Sequence, residues 1–157
     1  MPTHAEERHS RFTPTQLFDL VADIERYPEF LPWCIATRIK RRDGNEIWAD
    51  LIIGFRMVRE RFTSRVTLDR PSHRIDVAYT EGPFRYLNNH WIFKPAPDGG
   101  TIIDFYVDFE FRSLVLQKVI GALFGEAVRR MVGAFETRAE RLYGEPDTAQ
   151  PERARGI

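Results

Sequence analysis

From Cys34 to Phe111 the chain alternates apolar and polar side chains in short runs, the two-residue period of strands buried on one face. Turn chemistry separates the runs at hairpin spacing: Asp43-Gly44-Asn45, the surroundings of Gly54, Asp69-Arg70-Pro71-Ser72, Glu81-Gly82-Pro83 and Pro95 to Gly100. Six antiparallel strands are therefore predicted. One face collects Ile47, Ala49, Leu51 and Ile53, then Val58, Phe62, Val66 and Leu68, then Ile75, Val77 and Tyr79. Leu87, Trp91 and Phe93 continue it, followed by Ile103, Phe105, Val107, Phe109 and Phe111. The other face collects Arg59, Arg61, Arg65, Arg74, Asp76, Asp104, Asp108 and Glu110, which marks it as solvated and excludes a parallel sheet buried on both sides.

Before the meander, His4 to Phe12 reads as a weak, polar strand. Thr13-Pro14 then supplies an N-cap and a proline at the first helical position, opening a helix through Leu17, Phe18, Leu20 and Val21. A second short helix is expected to start at Asp23 and to end before Pro28 or Pro32. After the meander a long helix runs from Ser113 to about Tyr143, and its halves differ. Up to Gly125 only Lys118 is charged, and the apolar residues cover more of the circumference than one core-facing stripe needs. From Glu126 onward Val128, Met131, Val132, Phe135 and Leu142 alternate with charges in the ordinary amphipathic way. The expected architecture is α+β: a curved antiparallel sheet of about seven strands around a long C-terminal helix, with two short helices after the first strand. One domain over residues 1–144 accounts for it, and the aperiodic, proline-containing tail 145–157 is expected to be disordered.

Composition adds bounds. A length of 157 residues with 43% apolar and 29% charged side chains suits one globular domain. Equal counts of 23 basic and 23 acidic residues exert no global pull on DNA or on anionic lipid. A lone Cys34 forms no internal disulfide, which fits a reducing compartment, so the expected location is the cytoplasm. The first residues lack a signal-peptide core and no run of apolar residues is long enough to span a bilayer, so membrane contact is expected only at its surface, in a bacterium the inner face of the plasma membrane.

One helix covers only part of a wide curved sheet, so a groove or tunnel is expected between them. Its expected lining is Leu31, Trp33, Leu51, Ile53, Phe62, Val66, Tyr79, Leu87, Asn89, Trp91, Phe93, Phe105, Val107 and Phe109, with Leu123, Ala127 and Met131 from the helix. Glu60, Ser64 and Asn89 interrupt this apolar face, and a buried polar group needs a partner, either in the protein or on a ligand. For Glu60 an arginine partner or a place at the sheet edge comes first. Asn89 has two readings, a strap on a strand end or a direct ligand contact, and is the better contact candidate of the two. Pro28 and Pro32 stiffen the loop that carries Phe30, Leu31 and Trp33. Phe30 and Phe84, with Leu116, Ile120 and Phe124 of the over-apolar half-helix, are expected to form a portal facing a membrane surface.

Three segments carry a family resemblance. Val21 to Cys34 (Val-Ala-Asp-Ile-Glu-Arg-Tyr-Pro-Glu-Phe-Leu-Pro-Trp-Cys), Glu60 to Val66 (Glu-Arg-Phe-Thr-Ser-Arg-Val) and Gly82 to Leu87 (Gly-Pro-Phe-Arg-Tyr-Leu) with Asn89, Trp91 and Phe93 together resemble the coenzyme Q-binding branch of the START superfamily, which has the helix-grip fold. The resemblance covers about residues 3–143. It implies a non-enzymatic protein that carries ubiquinone or a similar isoprenoid lipid for respiration and quinone biosynthesis, with no catalytic cofactor. Bacterial members are also described as ribosome-association toxins, which makes the ribosome the alternative partner. The basic run Arg38, Lys40, Arg41, Arg42 and the outward stripe Arg56, Arg59, Arg61, Arg65 suit phosphate contacts, but neutral overall charge and the lack of interleaved aromatic residues favour a merely solvated face. A cyclase or dehydratase acting through Glu60 and Asn89 is the second alternative. His4, His9, His73 and His90 show no metal-ligand spacing, and neither a phosphate loop nor a nucleophile elbow is present.

Overall fold

The structure is a computed structural model that describes residues 3–55 and 58–144. Seven strands, β1 (Thr3–Ser10), β2 (Cys34–Asp43), β3 (Glu46–Phe55), β4 (Val58–Asp69), β5 (Arg74–Glu81), β6 (Phe84–Pro95) and β7 (Thr101–Phe111), form one antiparallel sheet in the order β1-β7-β6-β5-β4-β3-β2. Two α-helices, α1 (Pro14–Ala22) and α2 (Leu114–Tyr143), flank the meander, and a short 3-10 helix (Ile24–Glu29) follows α1. This is the helix-grip arrangement. Cross-strand pairing confirms the alternation: Ile47 opposes Val66, Ala49 opposes Ser64, Leu51 opposes Phe62, Ile75 opposes Trp91 and Leu87 opposes Phe109, all on the face toward α2.

Local chemistry sets the helix ends. The Thr13 hydroxyl accepts from the Gln16 amide at 3.1 Å while the Gln16 side chain accepts from the Thr13 amide at 3.0 Å, a reciprocal cap that satisfies two otherwise free donors. At the start of α2 the Ser113 hydroxyl accepts from the Leu116 amide at 3.2 Å. Of the two expected limits the 3-10 helix takes the later one, carrying Pro28 inside it and ending at Glu29, ahead of Pro32. A helix this short forfeits one hydrogen bond at most to a proline, and 3-10 backbone angles match those of the proline ring.

The core lies where α1 and the carboxyl half of α2 meet the sheet. Leu17, Phe18 and Val21 from α1 and Val128, Val132, Phe135 and Ala139 from α2 bury themselves against Ile75, Trp91, Phe93, Ile103 and Phe105. β1 ends at Ser10, not Phe12, because Phe12 turns into this core. The inward side chains of β1 are polar, and the register sets His4, Glu6 and Arg8 opposite Val107, Phe105 and Ile103. Arg8 reaches Glu136 at 2.7 Å and Arg11 reaches Glu140 at 2.6 Å, so the sheet edge is fastened to α2 through charges.

Candidate functional site: the gap between sheet and helix

The gap has a closed end and an open end. At the closed end Phe135 stands edge-on to Tyr27, Phe30 and Trp91, with ring centroids 5.5, 5.3 and 5.1 Å apart. A void of about 10 Å³ remains there, lined by Leu17, Leu20, Val21, Trp91, Phe93, Ile103, Val132, Phe135 and Glu136, the size of one water at most. Val66, Trp91, Phe93 and Phe105, expected as cavity wall, are therefore packed core. Toward the other end a second cluster forms from Phe84, Phe109 and Phe111, with Phe62, Tyr79, Leu87, Val107, Leu116 and Ile120 half-buried around it. Between the clusters run Leu51, Val77, Val107 and Met131, in contact with packed atoms yet not sealed. Leu31, Trp33, Ile53 and Ala127 are half-buried as well.

Phe84 is not a lid. It is 4% exposed, stacked on Phe111 at 4.7 Å and edge-on to Phe62, Tyr79 and Phe109. The reason is an irregularity in the β6–β7 register between Phe84 and Tyr86: counting by twos from Leu87 sends Arg85 inward, whereas the extra residue turns Phe84 inward instead. Gly82, at φ 144°, lets this turn lie on Phe62, since a Cβ there would sit 2.6 Å from the Phe62 Cβ. Phe30 is likewise a plug and not a portal residue. It packs on Tyr27 and Phe135 beneath the Arg138 guanidinium, whose Nη2 donates to Glu29 at 2.8 Å. Trp33 adopts a left-handed φ of 66°, uncommon for a bulky residue, and its carbonyl accepts from the Gly54 amide at 2.8 Å, which ties the loop to β3.

The polar interruptions separate cleanly. Asn89 donates from Nδ2 to the Tyr106 carbonyl at 2.8 Å, so of its two readings the structure shows the strap, here joining β6 to β7. Glu60 lies half-buried opposite Ile53 and takes part in no ion pair among the described residues, so the expected arginine partner is absent there. Ser64 is 1% exposed on the inward face of β4, between Ala49 and Tyr79, and its hydroxyl has no hydrogen-bond partner among the described residues. A buried hydroxyl left unpaired costs about 1–3 kcal/mol. The Tyr79 hydroxyl accepts from the Phe84 amide at 3.0 Å. Beneath the loop, burial pushes the Tyr27 phenol far above its ordinary range and raises the half-buried Cys34 thiol from 9.0 to about 11, so Cys34 stays protonated at neutral pH.

The amino half of α2 overhangs the open end. Leu114 and Val115 are 76% and 71% exposed and Val119 is 40% exposed, while Leu116 and Ile120 turn toward the second cluster. The helix start is firmly held: Gln117 accepts from the Phe111 amide at 2.7 Å and Arg112 donates to the Phe84 carbonyl at 3.0 Å. Beside this joint lies an open depression of about 500 Å³ at Arg85 and Arg112. A Cβ added at Gly121 would meet nothing within 4 Å. The side chains of Leu123 and Phe124, assigned to cavity and portal, lie outside the described residues, as does the tail 145–157. Among the described residues no cluster of His, Cys, Asp and Glu is placed to hold a metal, and no helix is long and apolar enough to cross a membrane.

Comparison with known proteins adds lineage to this geometry. Residues 11–136 match the family model for polyketide cyclase / dehydrase and lipid transport. The ribosome association toxin RatA of Rickettsia prowazekii is 40% identical over 134 residues, covering 83% of this chain and 91% of that protein. The mitochondrial coenzyme Q-binding protein COQ10 homolog B of Xenopus laevis is 35% identical over 146 residues, or 90% of this chain, which spans 59% of that protein's length. A START superfamily protein from Mycobacterium smegmatis shares the fold at a TM-score of 0.77 with 19% identity, covering 89% of this chain and 98% of that one.

Proposed function

The chain belongs to the polyketide cyclase / dehydrase and lipid transport family, and from that premise we propose that it is a non-enzymatic binding protein for an isoprenoid quinone such as ubiquinone. The observation that carries this reading is the Ser64 hydroxyl, buried without a hydrogen-bond partner among the described residues on a mostly apolar face, beside a half-sealed row of side chains. A quinone carbonyl accepts one hydrogen bond from such a donor, and its isoprenoid tail replaces water along Leu51, Phe62, Val107 and Met131. The Xenopus relative, named as a coenzyme Q-binding protein, supports the same ligand class. Catalysis ranks lower because Asn89 is committed to a main-chain strap and Glu60 has no hydrogen-bonded acid or base partner among the described residues. Protein purified from its native host, extracted with organic solvent and analysed by mass spectrometry, is expected to yield a quinone. A wild-type extract free of isoprenoid lipid refutes the proposal.

The ligand enters, in this reading, from a bilayer surface met by Leu114, Val115 and Val119. Vesicle flotation is expected to fall in a Val115→Glu/Val119→Glu variant, and equal flotation removes the portal. A second reading, ribosome association, is favoured by the name of the Rickettsia relative and by the arginines on the outer sheet face. It predicts co-sedimentation with ribosomes that weakens as salt rises.

A further inference from the structure

The outer face of the sheet carries cations on both sides of its middle, and they are treated differently. On β5 to β7 each has a carboxylate partner: Arg74 with Asp76 at 2.8 Å, Arg85 with Glu110 at 3.3 Å, and Lys94 with Glu7 at 3.3 Å and Asp104 at 3.5 Å. On β2 to β4 the register lines up Arg59 opposite Gly54, Arg61 opposite Ile52, Arg38 opposite Asp50, and Trp48 between Arg41 and Arg65. Arg65 reaches Glu46 only at 3.8 Å and Arg41 reaches Asp43 at 3.3 Å, both well exposed. Arg38, Arg59 and Arg61 are exposed and form no ion pair among the described residues. The carboxylate nearest in register to Arg38 is withdrawn: Asp50 is buried and accepts from the Thr63 hydroxyl at 2.5 Å.

The sheet also supplies an aromatic residue where the sequence pattern showed none among the arginines. Trp48 stands in the middle of them, with the Arg41 guanidinium 4.2 Å from its ring centroid. That stack fixes one guanidinium in plane.

We propose that the outer face of β2–β4 is a docking surface for an RNA backbone, with Arg38, Arg59 and Arg61 on phosphates and the Arg41–Trp48 stack at its centre. Guanidinium forks match phosphate oxygens in pairs, and their fixed position on strands lowers the entropy lost on binding. An RNA fits better than an anionic bilayer because four of the five exposed large apolar side chains among the described residues, Leu114, Val115, Val119 and Leu142, lie on α2, and β2 to β4 contribute only Ile35, 45% exposed. Neutral overall charge is no obstacle, since binding follows the local field.

The inference rests on the ribosome reading, and the experiment separates the two. Wild type, an Arg38→Glu/Arg59→Glu/Arg61→Glu variant, its all-Gln counterpart and an Arg129→Glu/Arg130→Glu control on α2 are titrated with purified ribosomes and with protein-free ribosomal RNA across a salt series. Circular dichroism checks folding. The Glu variant is expected to lose at least about 10-fold in affinity for both probes and about 2–3 from the slope of log K against log salt, one contact each, with Gln intermediate and the control unchanged. If wild type binds neither probe at about 50 mM salt, the ribosome reading fails and this inference with it. If wild type binds and the triple variants keep its affinity and slope, only the face is wrong. Salt-independent binding to ribosomes without binding to RNA points to a protein partner, and loss of binding to phosphatidylserine vesicles without loss on RNA points to a bilayer. Either overturns the proposal.

Discussion

The two halves of α2 are one continuous helix, the amino half the more apolar, with opposite relations to the rest of the molecule. In the carboxyl half Val128, Val132, Phe135 and Ala139 are buried, because α1, the 3-10 helix and the sheet supply surfaces on that side. In the amino half Leu114, Val115 and Val119 face solvent, while among the described residues Leu116 and Ile120 are the ones that reach the second aromatic cluster beneath. Apolar residues in a helix thus report a need for burial without saying what meets it. One half has been satisfied by the chain itself, and the other keeps Leu114, Val115 and Val119 exposed, the surface that the proposed function assigns to a bilayer.

The contrast is broken most strongly at Phe135. Its replacement by alanine removes three edge-on ring contacts from the closed end and is expected to cost about 3–5 kcal/mol in urea unfolding, whereas Val115→Ala in the open half stays within about 0.5 kcal/mol. Equal losses would mean that the amino half is core. Ser64→Ala, between the two ends, is expected to leave stability unchanged or to raise it by about 1 kcal/mol while quinone recovery falls, since it deletes an unpaired donor. A marked destabilisation would show that the hydroxyl has a structural partner.

Smaller effects sharpen the picture. Gly121→Ala, which meets no neighbour within 4 Å, is expected to stabilise by about 0.5–1 kcal/mol through helix propensity, a gain readable in the same urea titration. A loss there would reveal something pressed against the open half. At the closed end the Cys34 thiol binds its proton more tightly when folded, so its contribution is complete below pH 9.0 and is lost as pH rises toward about 11. Tyr27 acts in the same direction. The urea midpoint is expected to fall across that window, and to fall less in Cys34→Ala.

Much of the fold was legible because it depends on local periodicity. The hairpin turns, the inward rows such as Ile47 to Ile53, the reciprocal cap at Thr13 and Gln16, and the limits of α2 all follow from spacing within a few residues. The site was legible only in outline. Parity puts Ser64 and Asn89 on the same face, yet nothing local reveals that Asn89 finds the Tyr106 carbonyl while Ser64 finds no partner among the described residues. Register irregularities at Phe84, and again between Ile39 and Arg41, redirect side chains without leaving a mark in composition.

The order of residues by itself determined an antiparallel sheet with one greasy face, a capped pair of helices and a family lineage, because each is written in neighbours along the chain. Among the described residues, which greasy positions are sealed, which polar atoms are stranded and which arginines lack a carboxylate were decided only when distant strands came together. Those properties belong to pairs of residues far apart in sequence, such as Trp48 with Arg41 or Phe135 with Trp91, and a pair has no state until both members share a surface.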